Sequence, residues 1–146
     1  MPLIREARPE DFERWLPLWE GYNRFYERSI PEAVTRGTWA RFFQPAEAMH
    51  ALVAEQEGEL AGFVHFLYHR STSSLAPVCY LQDLYALPAL RGKGIGRALI
   101  EAVYEKARAA GSPRVYWLTQ ENNMVARQLY DRVAERSGFI QYRRQF

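Results

Sequence analysis

Residues 81–96 decide the fold, and they read LQDLYALPALRGKGIG. Their first part belongs to an apolar segment from Val78 to Leu87, bounded by prolines, which predicts a strand. Their second part holds three glycines in five positions, directly before an apolar helical stripe that starts at Ile95. Glycines at a helix start leave backbone N–H groups uncovered, and the helix dipole favours negative charge there. With positive charge from Arg91 and Lys93, the stretch predicts a strand, an anion-binding loop and a helix, with a pyrophosphate as the natural ligand.

A glycine-rich loop is not specific when it is taken alone, because a tight turn with solvated basic neighbours has the same composition. A dinucleotide fingerprint does not fit, since Arg97 or Leu99 stands where its third glycine should be. A Walker phosphate loop is absent as well, because its required order of glycines, lysine and hydroxyl residue does not occur.

The periodicity on either side of this stretch predicts a sheet with helices packed on it. A turn signal at Glu57-Gly58 separates two strand-like segments and predicts a hairpin. Apolar and aromatic residues at helical spacing predict the helices. The predicted elements are strands at Leu3–Ala7, Met49–Glu55, Leu60–Tyr68, Val78–Leu87, Val115–Leu118 and Phe139–Arg143, and helices at Pro9–Tyr22, Pro31–Phe43, Ile95–Ala107 and Met124–Glu135. This order predicts an α/β (α+β) fold, a mixed sheet with helices on its faces.

The composition is that of one ordinary globular domain spanning residues 1–146, since 48% of the residues are hydrophobic and 25% are charged. A net charge of +2 without a basic block indicates neither nucleic-acid nor membrane binding. No secretory signal or bilayer-spanning stretch occurs, and the lone Cys79, expected to be buried and inert, fits a reducing compartment. We therefore expect a cytoplasmic protein. The histidines share no metal-ligand spacing, so we expect no metal and keep them as reserve acid–base candidates: His50, His65 and His69.

Two motifs carry a resemblance to a known family. Arg91-x-x-Gly94-x-Gly96, between the predicted strand and the long amphipathic helix, closely resembles the coenzyme A-binding segment of the GNAT acetyltransferases. Further along the chain, Asn123-x-x-Ala126-x-x-x-Tyr130 resembles the second segment of that family. The resemblance implies a mixed, mostly antiparallel central sheet with helices on both faces. It also implies transfer of an acetyl group from acetyl-CoA to an amine, as in the polyamine and small-amine branch.

The resemblance implies a binding site for acetyl-CoA along the strand, the loop and the helices. Backbone amides of the strand would hold the pantetheine arm and the thioester oxygen where neighbouring strands splay apart, and the loop would hold the pyrophosphate. The residues implied are Leu84, Tyr85, Ala86, Leu87, Arg91, Gly92, Lys93, Gly94, Ile95, Gly96, Arg97, Asn123 and Ala126. Asn123 is open to a second interpretation as the N-cap of the following helix, and its neighbour Asn122 is open to either role.

The catalytic groups expected from the resemblance are Tyr130, Asp83 and Gln82. Tyr130 matches the tyrosine that lies near the coenzyme A sulfur in the family and acts as general acid. Without the motif, its position on a helix would predict an aromatic residue of the core. Amine acetyltransferases of this kind often carry glutamate and then aspartate on the cofactor strand, and here Gln82 takes the first place. Because a glutamine cannot accept the proton, the task of base falls to Asp83, a water chain or another group. Strand alternation puts Gln82 and Asp83 on opposite faces unless a bulge intervenes. Asp83 is therefore open to two interpretations, as a group that lines the acceptor site and as a structural carboxylate.

The acceptor is expected to be a small primary amine, either polyamine-like or amino-acid-like. The N-terminal helices build the acceptor pocket in this family, and here they carry aromatic and acidic residues suited to a cation. These residues are Tyr22, Phe25, Tyr26, Trp39, Phe42 and Phe43, with Glu20, Glu27 and Glu32. The aromatic residues are also open to a second interpretation as core residues. A protein lysine or N-terminus is the next choice of acceptor. Rivals from other classes are a non-catalytic acyl-coenzyme A sensor and a plain phosphate- or nucleotide-binding module.

The last predicted strand, Phe139–Arg143, bears on assembly. The sequence ends soon after it, at Phe146, whereas many GNAT acetyltransferases end with a longer segment of two strands. An unpaired edge strand tends to find a partner. We therefore expect a homodimer through this edge, with exchange of Phe139–Arg143 between subunits as one possible form.

Overall fold

The computed structural model describes residues 1–146, and its centre is a five-stranded sheet. The elements follow along the chain as β1 (Leu3–Glu6), α1 (Phe12–Phe25), α2 (Glu32–Arg41), β2 (Met49–Gln56), β3 (Glu59–His69), β4 (Val78–Ala86), α3 (Ile95–Ala109), β5 (Val115–Tyr116) and α4 (Met124–Val133). Short 3-10 turns at Pro9–Asp11 and Pro88–Leu90 lead into α1 and into the loop before α3. No helix combines the length and the apolar character that a membrane crossing needs.

The strands lie in the sheet in chain order, from β1 to β5. Every neighbouring pair is antiparallel except β4 and β5, which are parallel. The turn from β2 to β3 consists of Glu57 and Gly58, with positive φ angles of 52° and 81°. Two positive φ angles are what a two-residue type I′ hairpin turn requires. The predicted hairpin is confirmed, and so is the mixed, mostly antiparallel sheet with helices on both faces.

The sheet buries a separate core on each face. On one face, aromatic side chains of α1 and α2 pack on β2, β3 and β4. The helices contribute Trp15, Trp19, Tyr22 and Trp39, and the strands contribute Val53, Phe63 and Tyr85. On the other face, the apolar stripe of α3 packs on the opposite side of the same strands, through Ile95, Leu99, Ile100, Val103 and Ala107. Because side chains alternate along a strand, β3 and β4 contribute to both cores. The predicted stripe of α3 is confirmed.

The entry into α1 is held by Asp11, which is fully buried. Its carboxylate accepts hydrogen bonds from the Arg8 backbone N–H at 2.8 Å, from the Arg5 guanidinium at 2.8 and 3.1 Å, and from Arg14 at 2.7 Å. These donors, Arg5 first, hold the pKa of Asp11 well below its usual range. The cluster joins β1 to α1 and so fixes the helix that covers the candidate site.

The C-terminal end departs from the prediction. The predicted strand Phe139–Arg143 does not form: the residues after α4 have no regular structure, and Phe139 and Tyr142 are 90% and 89% exposed. A strand needs a neighbour for its hydrogen bonds, and β5 offers only the short stretch Val115–Tyr116. The prediction of a strand at 139–143 within one chain is therefore wrong. Strand β5 is also shorter than predicted, and α4 ends at Val133 rather than at Glu135.

Candidate active site

An opening between β4 and β5 forms the centre of the site. Strand β5 pairs with β4 only at Cys79 and Tyr80, and beyond that point β4 continues to Ala86 without a strand on this side. The backbone N–H of Leu87 donates to the Ala61 carbonyl at 2.9 Å, toward β3. Since donors alternate sides along a strand, the N–H of Tyr85 also faces β3. The predicted segment Leu84–Leu87 thus lies at the opening, with the N–H groups of Leu84 and Ala86 directed into it.

The loop before α3 presents a row of free donors at the mouth of this opening. Gly92 and Gly94 both have a φ of 81°, a conformation that side chains with a Cβ rarely adopt. The first helical hydrogen bond of α3 runs from the Ala98 N–H to the Gly94 carbonyl, and the backbone N–H groups of residues 92–97 have no acceptor in the protein. The loop itself is exposed. Its donors, the positive end of the helix and the adjacent basic side chains suit a diphosphate.

The loop lies beside the C-terminal end of α1. The Arg91 guanidinium stands over the ring of Phe25 at 5.8 Å from its centroid. On the other side, a Cβ placed on Gly96 would lie 3.4 Å from the Leu129 side chain, so the start of α3 packs closely on α4. The end of α1 and helix α4 therefore flank the same loop, and they form the two walls of the cleft.

A β-bulge at Gln82 determines which way Asp83 points. In the pairing of β3 with β4, His65 lies opposite Asp83 and Phe66 lies opposite Leu81, which leaves Gln82 without a partner. Leu81 faces the α3 core, and the extra residue turns Asp83 toward α1 instead. The bulge that the sequence left open is present; Gln82 is exposed to solvent, whereas Asp83 is buried and points toward α1.

Asp83 belongs to a buried chain of hydrogen bonds. Its Oδ1 accepts a hydrogen bond from the Tyr22 hydroxyl at 2.8 Å, and its Oδ2 lies 2.9 Å from Nδ1 of His65. The Trp15 indole N–H donates to Nε2 of His65 at 3.1 Å. An indole can only donate, so His65 must keep Nε2 free of a proton and carry its proton on Nδ1, facing Asp83. The arrangement therefore fixes one tautomer of the imidazole, with its N–H directed at the Asp83 carboxyl group.

The cleft side of Asp83 is lined by Arg28, Tyr22 and Tyr26. The Arg28 Nη2 lies 3.8 Å from Oδ1 of Asp83, and its guanidinium stands 5.3 Å from the Tyr22 ring centroid and 5.9 Å from that of Tyr26. Burial, and then the Asp83 charge, raise the pKa values of both tyrosines. Both hydroxyls therefore stay protonated at neutral pH. The wall contains one anion and one cation, separated only by a few ångström.

Tyr130 lies on α4, the opposite wall. It packs edge-on against Trp117 with ring centroids 5.4 Å apart and joins the edge of the α3 core. Burial raises the pKa of Tyr130 to about 12, and nearby Tyr26 adds a smaller contribution. Its hydroxyl makes no hydrogen bond within the protein and is not sealed from solvent. The ring is a core aromatic, as the sequence also allowed, while the hydroxyl is left available as a donor.

The remaining predicted residues lie around these groups. Asn123 precedes α4 at the N-cap position, but its side chain does not cap the helix and donates to Thr119 Oγ1 at 3.2 Å instead. Ala126 lies in the first turn of the same helix. Cys79 is fully buried, as predicted, and burial raises the pKa of its thiol to about 11.

The sequence predicts Tyr22 for the acceptor pocket but does not connect Asp83 with its other neighbours. It offers His65 only as a reserve acid–base candidate and assigns no role in the site to Trp15 or Arg28. The register of the β3–β4 pair was the signal for His65, because the hairpin brings it directly opposite Asp83. No comparable signal existed for Trp15 or Arg28, whose contacts depend on how α1 packs on the sheet.

Known proteins are similar to this chain in sequence and in fold. The model of the Acetyltransferase (GNAT) family matches residues 4–134. The D-amino-acid N-acetyltransferase HPA3 of Saccharomyces cerevisiae is 36% identical over 144 residues, covering 97% of this chain and 89% of that protein. An aminoglycoside N(6')-acetyltransferase type 1 of Stenotrophomonas maltophilia is 32% identical over 114 residues, covering 75% of this chain and 70% of that protein.

Solved structures share the fold. The aminoglycoside acetyltransferase AAC(6')-Iy, in complex with a CoA-linked bisubstrate analogue, superposes with a TM-score of 0.86 at 18% identity, covering 100% of this chain and 99% of that one. A ribosomal-protein-alanine N-acetyltransferase of Brucella melitensis gives a TM-score of 0.85 at 23% identity, covering both chains fully. At such identities the likeness is one of fold. Taken with the family model and the 36% identical relative, it leads to one conclusion: the chain belongs to the acetyltransferase (GNAT) family and is an N-acetyltransferase.

Proposed function

We propose that this protein transfers an acetyl group from acetyl-CoA directly to the primary amine of a small molecule, either amino-acid-like or polyamine-like. One observation carries the proposal: a buried carboxylate and a free phenolic hydroxyl lie on opposite walls of one cleft, beside a loop of unpartnered N–H groups. An amine needs a group that attracts and deprotonates it, and a leaving thiolate needs a donor. The two walls supply one of each.

Acetyl-CoA would bind along the β4 edge. The N–H groups of residues 92–97 would hold its pyrophosphate, assisted by Arg91, Lys93 and Arg97. The N–H groups of Leu84 and Ala86 would hold the pantetheine arm and the thioester oxygen, and Asn123 and Ala126 would flank the arm from α4. Backbone donors fixed before the reaction stabilise a developing oxyanion without rearranging. This assignment accounts for donors that would otherwise have only solvent as a partner.

The acceptor loses two protons in the reaction. An alkylammonium ion has a pKa of about 10.4, so one proton must leave before the nitrogen attacks the acetyl carbon. When the C–S bond breaks, nitrogen gives up a second proton and sulfur gains one, so that one proton in all goes to solvent. We assign Asp83 to attract the ammonium ion and take up its first proton, and Tyr130 to support the departing sulfur.

The acidity of Tyr130 limits how it can act. Its pKa of about 12 lies well above the value of about 8.5 for an ordinary thiol. A full proton transfer from the phenol to a thiolate is therefore uphill by about 5 kcal/mol. Tyr130 would donate a hydrogen bond as negative charge develops on sulfur, and the proton would pass over only as another reaches the tyrosine. Its role is thus donation to the transition state.

The nature of the acceptor rests on two kinds of support. The relatives at 36% and 32% identity are named for a D-amino acid and an aminoglycoside, both of which are small molecules with amines. Within the cleft, Asp83 supplies one negative charge, which suits an ammonium group, while the ring faces of Tyr22 and Tyr26 already hold the Arg28 guanidinium.

A homodimer in the cytoplasm completes the proposal. The exposed tail beyond α4 carries Phe139, Ile140, Tyr142 and Phe146, all at least 75% exposed. Exchange of Phe139–Arg143 between two copies would let the two segments pair with each other beside the short β5, and would cover these side chains. Sedimentation at micromolar concentration should give twice the chain mass, and a monomer would exclude the exchange. The cytoplasmic location is supported by the lone, buried Cys79.

Thiol release tests the activity. Purified protein is mixed with acetyl-CoA and a panel of amino acids, polyamines, an aminoglycoside and a lysine peptide, and free CoA is followed with a thiol reagent. We expect release with at least one small amine, and a Tyr130→Phe variant should lose about 10²-fold or more in kcat while its CoA affinity is unchanged. Binding of CoA without release in any mixture would identify a sensor. Competition by ATP for the same loop would instead favour a nucleotide-binding module.

A further inference from the structure

Arg28 is held in place by the turn that follows α1. Glu27 adopts a left-handed conformation with a φ of 54°, and the Arg28 N–H then donates back to the Asn23 carbonyl at 3.0 Å. The Arg28 Nε donates to Oδ1 of Asn23 at 2.7 Å, and Asn23 is itself buried. With the guanidinium resting on the rings of Tyr22 and Tyr26, both its position and its orientation are fixed.

The outer nitrogens of this guanidinium have no hydrogen-bond acceptor in the protein. Its nearest anion is Oδ1 of Asp83 at 3.8 Å, beyond hydrogen-bond distance, and the side chain is 44% exposed to the cleft and solvent. Asp83 already accepts hydrogen bonds from Tyr22 and His65. Arg28 therefore contributes more donors than its neighbours use, and it presents them next to the carboxylate proposed to attract the amine.

The spacing of these two charges matches one class of amine. An α-amino acid carries its ammonium nitrogen and its carboxylate carbon about 2.5 Å apart, by standard bond lengths. Placed on this wall, its ammonium group meets Asp83 while its carboxylate meets the forked donors of Arg28. A polyamine would bring a second cation toward Arg28, and a peptide N-terminus has an uncharged amide in place of the carboxylate. Both would leave Arg28 without an anionic partner or would be repelled by it.

We propose that Arg28 binds the α-carboxylate of the acceptor, so that free α-amino acids are preferred over amines that lack this group. The inference rests on the proposed acetyl transfer and narrows its substrate class. Arg28 then acts as a specificity-determining residue, because it recognises a part of the acceptor that takes no part in bond making.

The test compares amino acids with their decarboxylated amines, for example phenylalanine with phenethylamine and lysine with cadaverine. Each amino acid is tested as both of its enantiomers. Thiol release gives kcat/KM for each acceptor. For wild type we expect kcat/KM to favour the amino acid by about 10- to 100-fold, the range for a charge-assisted hydrogen-bonded pair. In Arg28→Gln this ratio should fall to about one, and Arg28→Lys should keep part of it.

Arg24→Gln is the matched control, since it removes the same charge from an exposed position four residues earlier, in the last turn of α1. It should leave the ratio at its wild-type value. CoA affinity, measured for every variant, reports whether the fold is intact. A wild type that acetylates the decarboxylated amines as well as the amino acids overturns this inference alone, as does an Arg28→Gln variant that keeps the wild-type ratio. Absence of thiol release with every acceptor overturns the proposed function, and this inference with it.

Discussion

Replacing Asp83 with asparagine removes a charge while nearly preserving the shape of the buried chain. His65 must still donate from Nδ1, because the Trp15 N–H occupies its other nitrogen. The new amide would therefore turn its oxygen to His65 and its NH2 group to Tyr22, whose hydroxyl can accept as well as donate. The number of hydrogen bonds is unchanged. What is lost is the negative charge between Arg28 and the acceptor.

The magnitude follows from the two hydrogen bonds. A bond to a charged group contributes about 1.5–3 kcal/mol and a neutral one about 0.5–1.5 kcal/mol, so two conversions cost about 2–3 kcal/mol. Part of this is recovered because a buried charge no longer has to be desolvated. We expect a net loss of about 1–2 kcal/mol in the free energy of unfolding, or about 3–7 °C in Tm. Loss of a group that accepts the amine proton should lower kcat/KM by about 10²- to 10⁴-fold.

The assay combines thermal unfolding with thiol release from acetyl-CoA. Tyr22→Phe is the comparison variant, since it removes one donor to Asp83 and keeps the charge. It should lose similar stability, while its loss of kcat/KM stays below about tenfold. An Asp83→Asn protein that is destabilised as expected but keeps kcat/KM within threefold of wild type would refute a catalytic role. A Tyr22→Phe protein that is equally inactive would locate the function in the phenol instead.

Three further predictions concern the loop before α3, the central sheet and the loss of stability at low pH. Gly94→Ala should cost about 1–2 kcal/mol because of its positive φ and should raise the KM for acetyl-CoA about tenfold, whereas Gly111→Ala, also at positive φ and in open space, should cost the same stability and leave that KM unchanged. Gly62→Ala would put a Cβ 2.5 Å from the Tyr85 carbonyl oxygen, so it should lower stability by about 1–3 kcal/mol and weaken CoA binding in a thermal-shift titration. Asp11→Asn should cost about 2–4 kcal/mol at pH 7. Because the pKa of this carboxyl is lowered in the fold, wild type should lose its contribution to stability as pH falls below about 4. The free energy of unfolding, measured with urea at each pH, should therefore fall less steeply with pH in the variant than in wild type.

Local chemistry made the loop and the helix after it predictable. The glycines at 92 and 94 need their freedom for positive φ, and the stripe from Ile95 to Ala107 has a helical period, so both signals sit within a few residues. The Glu57-Gly58 turn was readable for the same reason. Where a residue type and its immediate neighbours decide the backbone conformation, the sequence is sufficient to predict that conformation.

The acceptor side of the cleft could not be predicted in this way. Whether Asp83 faces α1 depends on a bulge at Gln82, which only the pairing with β3 reveals. The contact between Trp15 and His65 joins residues 50 positions apart, and it requires α1 to lie across the sheet at one angle. The predicted strand at 139–143 is wrong because a strand also needs a partner. Its sequence pattern suits a strand, but the chain offers it no long neighbouring edge.

Trp15 also decides where protons can travel. An indole nitrogen has one hydrogen to give and no lone pair with which to take another, so no conducting path leads from His65 into the α1 core. In the proposed reaction, a proton that Asp83 takes from the acceptor would therefore return to water through the cleft and not through the α1 core. A product held tightly in the cleft would then delay the release of that proton as well as its own.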